Sequence, residues 1–234
     1  MIFYVPNIDA DLHLPEEESQ HAVRVLRLQL GDKIELVDGK GNYYEAVISF
    51  PHQKHCGFEI VSKIENYRPL PCRLHIAIAP TKNMDRIEWV AEKVTEIGVS
   101  EITPLLCRHS ERKVIKTDRL EKILVSAMKQ SKKSYLPKLN DMTALSRFVE
   151  QHNGTDCYIA HCFDNEKRIL AKEYSAGKDA TILIGPEGDF DEQEVSLALK
   201  KGYVPISLGE SRLRTETAGV VACHTIHVVN QIYL

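Results

Sequence analysis

No apolar run in this chain is long enough to cross a bilayer: the longest, such as Ile76–Pro80 and Ile182–Ile184, stop after a few residues. Residues 1–20 carry acids and lack an apolar stretch of the secretory kind, so no signal peptide is expected and the protein is expected to be cytoplasmic. The 6 cysteines (56, 72, 107, 157, 162 and 223) include no Cys-x-x-Cys pair. Cys157, His161 and Cys162 come nearest to a ligand cluster, but structural zinc takes four ligands in paired spacings, so reduced thiols and no metal are expected. Neither G-x-G-x-x-G nor G-x-x-x-x-G-K-[ST] occurs, which removes the dinucleotide fingerprint and the P-loop. Internal repeats and low-complexity stretches are also missing.

What the chain does have is the composition of a soluble globular protein, 43% hydrophobic and 27% charged over 234 residues, enough for one large domain or two of ordinary size. The net charge of −3 argues against indiscriminate nucleic-acid binding. Its distribution is uneven. Residues 1–70 hold 7 Lys/Arg against 11 Asp/Glu, whereas residues 108–138 hold 10 against 3. That basic segment reads either as a footprint for phosphates or as a solvated helix face laced with pairs such as Asp118 with Lys122.

Two domains are expected. In residues 1–68, strands at Met1–Val5, Lys33–Asp38, Tyr43–Phe50 and Phe58–Ile64 surround a helix at Glu16–Leu28, with glycine turns between them, the pattern of a small β-barrel. Asn66–Pro71, with two prolines, is the linker. From residue 72 to 234, strand and helix signals alternate, the order of an α/β domain with a largely parallel sheet. Its strands are read at Leu74–Ile78, Glu101–Leu106, Cys157–His161, Thr181–Ile184 and Val204–Leu208. Asp85-x-x-Glu88 is read as a capping box for a helix stopped by Gly98, and Asp191-x-x-Glu194 for one ending at Gly202. Thr215–Gln231 is the last helix.

The most informative features are two glycine-bearing segments about twenty residues apart. Thr181–Phe190 contains Gly185-Pro186-Glu187-Gly188, and Ile206–Ala218 runs from Leu208-Gly209 to Leu213-Arg214-Thr215-Glu216-Thr217-Ala218. Each is a short apolar run that breaks at glycine and leads into a helix. Adjacent turns of this kind at one sheet edge make a crevice for a small ligand. Pro186 removes an N–H that a phosphate cradle would use, so a flat, largely uncharged ligand such as an adenine is the better fit. The second segment adds helix-terminal N–H groups around Thr215–Thr217.

Together these segments resemble the RsmE family, bacterial 16S rRNA uracil-N3 methyltransferases of the SPOUT superfamily. Upstream, His21-Ala22-Val23-Arg24-Val25-Leu26-Arg27 and Lys93, Glu96 and Gly98 are similar to that family's motifs in the same order, so the resemblance covers essentially the whole chain. Asp189 stands where the family has a second glycine, Ser211 where it has an arginine (with Arg212 one position on), and Lys129-Gln130 where it has Glu-Gln. The resemblance implies a PUA-like RNA-binding barrel followed by a methyltransferase domain with a deep trefoil knot, and a homodimer. It also implies S-adenosylmethionine bound near Thr81, Leu183, Gly185, Glu187, Gly188, Leu208, Gly209, Leu213, Thr215 and Ala218. The expected reaction is methylation of a uridine N3 in 16S rRNA of the small ribosomal subunit. The rivals are a SPOUT enzyme with another RNA target and a non-catalytic RNA-binding protein.

Removing the N3 proton leaves negative charge on the uracil, which needs a cation or oriented N–H groups. Arg214 is the candidate for that task, unless it pairs with Glu187 or Glu216 as a brace. Glu187 is the candidate base, unless it holds loop amides. For RNA contact the candidates are His21, Arg24 and Arg27, three apart on one expected helix face, with Arg108, Arg112, Lys129, Lys132 and Lys133.

Overall fold

A computed structural model describes residues 1–151, 156–164 and 166–234. They fall into two compact units, Met1–Pro69 with Val125–Leu136, and Leu70–Leu124 with Pro137–Leu234. The sequence boundary at 68–72 had put Val125–Leu136 with the second domain.

The first unit is built on a four-stranded sheet in the order β1 (Ile2–Tyr4), β2 (Lys33–Val37), β3 (Tyr43–Phe50) and β4 (Gly57–Ile64). β1 runs parallel to β2 and the other pairs are antiparallel. An isolated bridge from His13 to Gly57 extends the β4 edge. Phe3, Leu36, Tyr44, Ile48 and Phe58 are almost completely buried in its core.

The helix expected over Glu16–Leu28 is different in kind. α1 (Glu16–Gln20) gives way to a π turn at His21–Val25, closed by the Leu26 N–H donating to the His21 carbonyl at 3.0 Å. Arg27 then takes a left-handed φ of 56°. A π turn has more residues per turn than an α-helix, so the spacing that would align His21, Arg24 and Arg27 on one face does not apply.

In the second unit seven strands lie on one parallel path. Their order is β10 (Arg168–Ile169), β12 (Val204–Ser207), β9 (Asp156–Ala160), β11 (Ala180–Ile184), β5 (Leu74–Ile78), β6 (Glu101–Leu106) and β7 (Lys138–Leu139). β8 (Thr143–Ala144) also pairs with β6. β5 and β11 are buried at every residue, as expected of parallel strands covered on both faces. The helices are α2 (Met84–Ile97), α3 (Thr117–Gln130, whose second half belongs to the first unit), α4 (Leu145–Gln151), α5 (Leu170–Glu173), α6 (Glu192–Lys200) and α7 (Thr215–Tyr233). Packing of α7 on α2 places Cys223 and Val94 in one core.

The Asp191–Glu194 capping box forms as expected. The one expected at Asp85 does not. Asn83 is the N-cap of α2, accepting the Asp85 N–H at 3.0 Å, and Glu88 instead pairs with Arg119 at 2.7 Å. None of the described helices is long and apolar enough to cross a membrane.

Candidate functional site

The carboxyl ends of β9, β11 and β12 open into a crevice of two adjoining cavities, about 340 and 310 Å³, which share Ala160, Cys162, Arg212, Leu213 and Ala218. An open parallel sheet ordinarily receives its ligand outside the carboxyl ends of its strands. Gly185, Glu187, Leu213, Arg214, Thr215 and Ala218 line the first cavity, and Leu208 and Gly209 the second. Three of the expected cofactor residues lie off both walls. Thr81 is buried with its hydroxyl on the Asn83 carbonyl at 2.8 Å, Leu183 is sealed in the core, and Gly188 lies against His109. Strand alternation accounts for Leu183, which points to the opposite side of the sheet from its neighbours.

The glycines of the first turn serve packing as well as ligand access. A Cβ on Gly185 would come within 3.0 Å of the Phe190 ring, and one on Gly188 within 3.2 Å of the His109 Cβ. The Gly185 carbonyl accepts the Thr215 hydroxyl at 3.1 Å, joining the β11 turn to the start of α7. Gly209 adopts φ 135°, which other residues rarely take.

Asp189, where the family pattern has glycine, also has a positive φ of 64°. Its carboxylate accepts the backbone N–H groups of Cys162 and Phe190, both at 2.8 Å. Aspartate is among the few residues that tolerate this conformation, because its short side chain can bond locally.

Arg86 stands 3.6 Å from Glu187 and 3.6 Å from Glu216, and the Glu187 carboxylate also accepts the Lys82 N–H at 3.1 Å. The bracing role considered for Arg214 thus falls to Arg86, and Glu187 does hold a loop amide. Arg214 itself is exposed on the wall, caps α7 through its backbone, and has no side-chain partner among the described residues. The first N–H groups of α7 have no intrahelical acceptors, so the wall beside Arg214 carries both a guanidinium and the positive end of a helix dipole.

At the second cavity, both ring nitrogens of buried His161 lack partners among the described residues. Burial, then the nearby Lys167 charge, push its pKa below the ordinary value, so the ring is neutral near pH 7. Lys167 donates to the carbonyls of His161 at 3.3 Å and Phe163 at 2.7 Å, shaping the exit from β9. Burial, then the Asp189 charge, raise the Cys162 thiol, so it is no ready thiolate nucleophile.

The expected RNA contacts are scattered and partly engaged. Arg108 pairs with Asp191 at 3.3 Å, and Arg112 holds the carbonyls of Thr81 at 3.2 Å and Lys82 at 2.5 Å. Lys129 pairs with Glu18 and lies over the Phe3 ring. The His21 ring packs edge-on to Phe3. Arg24 reaches Gln53 at 2.7 Å, and Arg27 and Lys132 are exposed. Lys133 is partly buried. Arg86, Asp189, His161 and Lys167 belong to the crevice but were not among the residues expected there. Asp189 was already visible as a departure in the glycine turn; the others come from distant segments.

Comparison with known proteins matches residues 68–227 to a family model described as an RNA methyltransferase domain, and residues 14–61 to an RNA methyltransferase PUA domain. The chain is 32% identical to a Synechocystis protein named ribosomal RNA small subunit methyltransferase E, over 95% of this chain and 74% of that one. A protein of the same name from Buchnera aphidicola is 30% identical over 92% and 88%. Among solved structures, a Porphyromonas gingivalis protein described as a probable rRNA methyltransferase is 42% identical, with a TM-score of 0.94, covering 100% of this chain and 99% of that one. A Legionella pneumophila protein in complex with the cofactor SAM is 30% identical, with a TM-score of 0.87, covering 97% and 96%.

Proposed function

From the premise that the chain belongs to the RNA methyltransferase family of the ribosomal RNA small subunit methyltransferases E, we propose that it methylates N3 of a uridine in 16S rRNA, using S-adenosylmethionine. The observation that carries this reading is the crevice, where the unpartnered Arg214 side chain and the free N–H groups of α7 meet.

The crevice suits the cofactor. Its cavities are of the size that holds small ligands, and the neutral His161 ring and apolar Leu208 and Leu213 suit an uncharged base. Gly185, Glu187, Leu213, Thr215 and Ala218 on one side and Leu208 and Gly209 on the other would hold it, with Thr81, Leu183 and Gly188 supporting from behind. When bound, the cofactor supplies an electrophilic sulfonium methyl group.

The protein's own task is to make the imide nitrogen nucleophilic. Arg214 and the first amides of α7 stabilise the charge on the uracil oxygens as the N3 proton leaves. Glu187, at the mouth and paired with Arg86, receives that proton and passes it to solvent. The PUA-like unit and the cations of residues 108–138 hold the RNA. The segment after Leu208 threads a preceding loop as a trefoil knot, a reading supported by β12 lying between β9 and β10 while its exit loop shares a cavity with that of β9. A homodimer acting in the cytoplasm completes the proposal.

The test incubates the protein with S-adenosylmethionine and small ribosomal subunits from a strain lacking this methylation, then reads the rRNA nucleosides by mass spectrometry. A rise in 3-methyluridine is expected. Its absence with cofactor binding intact would move the target elsewhere.

A further inference from the structure

The end of β3 and the loop after it carry three nearly parallel rings. Phe50 and His52 have centroids 5.7 Å apart at 6°, and His52 and His55 are 5.9 Å apart at 4°. All three residues are exposed, Phe50 to 57%. The arrangement is held by the loop itself, because His52 Nδ1 accepts the backbone N–H groups of Lys54 at 3.3 Å and His55 at 3.2 Å. Accepting at Nδ1 puts the His52 proton on Nε2 and fixes the ring plane without any ligand.

Two cations belong to this loop or are bonded to it. Arg24 donates to Gln53 of this loop at 2.7 Å, and Lys54 lies between the two histidines in sequence. At the His55 end a cavity of about 440 Å³ opens, bordered by Asn7, Asp11 and Glu16. Its carboxylates repel a phosphate but accept the amino or imino N–H of a base. Parallel rings beside cations are the elements that hold single-stranded nucleic acid, since every base has a face to stack. The segment lies within residues 14–61, which match the RNA methyltransferase PUA domain.

We propose that Phe50, His52 and His55 form a stacking site for an unpaired base of the RNA, with Arg24 and Lys54 taking the adjoining phosphates. The proposal rests on the RNA-methylating function above.

The probe is a short single-stranded RNA carrying 2-aminopurine, whose fluorescence falls on stacking. Wild-type protein should quench it. Phe50→Ala and Phe50→Ala with His55→Ala should lose affinity by roughly 5- to 100-fold with the salt slope unchanged, and Phe50→Trp should retain wild-type affinity. Arg24→Gln should instead lower the salt slope by about one. His52 is left intact because it holds the loop. No quenching by wild type, wild-type affinity in the double variant, or weak binding by Phe50→Trp would each overturn the stacking site. Methylation of small ribosomal subunits is measured in parallel. Quenching without methylation would sink the enzymatic reading alone, and methylation with an unchanged KM in Phe50→Ala, beside unchanged RNA affinity, would sink the stacking site alone.

Discussion

The Asp189 carboxylate accepts the Cys162 backbone N–H at 2.8 Å, tying the turn after β11 to the exit of β9 across the mouth of the crevice. Asp189 holds a left-handed backbone and adds a cross-loop hydrogen bond. Asp189→Ala would retain a Cβ at φ 64° and lose both acceptors, so a loss of about 2 kcal/mol is expected in urea unfolding. Asp189→Gly relieves the backbone and should cost less stability, while weakening cofactor binding several-fold by calorimetry. Equal stability losses in the two variants would refute this account.

Arg214→Lys separates charge from shape. Lysine keeps the cation but not the planar fork, so kcat should fall on the order of 10- to 100-fold while the cofactor Kd barely moves. Near-normal turnover would remove Arg214 from the chemistry.

Gly185→Ala tests packing at the same turn. The added methyl meets the Phe190 ring at 3.0 Å, and Phe190 is itself buried, so a destabilisation of about 1–3 kcal/mol is expected. Phe190→Leu should cost stability alone but recover part of the loss in the double variant, which a double-mutant cycle would measure. Strict additivity would argue that the clash is relieved some other way.

Acid stability should report on Glu101. Burial raises its carboxyl, but hydrogen bonds from Asn140 at 2.7 Å and from Arg73 outweigh that and hold it at about 2, against an ordinary 4.5. A depressed carboxyl contributes stability that is fully present above about pH 4.5 and is lost as pH falls through 2. The share is on the order of 3 kcal/mol. Glu101→Gln should lower stability at pH 7 and flatten the decline between pH 4.5 and 2 in denaturant titrations. An unchanged acid profile would count against the pairing.

Legibility in the sequence followed length and locality. β3 was readable to the residue because Gly41-Asn42 and Pro51 bound its apolar pattern, and β6 because its apolar run follows Gly98 and stops at Arg108. β7, β8 and β10 have two residues each, too few to show any period. The π turn escaped because residue preferences do not say which carbonyl an N–H will choose, and the cap of α2 because Asn83 sits two residues before the pair that looked like a box. In the crevice, residues of the two glycine segments were legible from local turn chemistry. Arg86, His161 and Lys167 were not, since only the strand order β12-β9-β11-β5 brings their segments to one edge.

That strand order also sets a schedule. β12 and the first turn of α7 supply a whole wall of the crevice, from Ile206 to Ala218. During synthesis, a chain that has reached α6 can already pair β5, β6, β9 and β11, yet its crevice still lacks that wall. Ligand affinity therefore arises only once the C-terminal helix has docked on α2, and a cofactor-binding measurement doubles as a check that folding has run to its end.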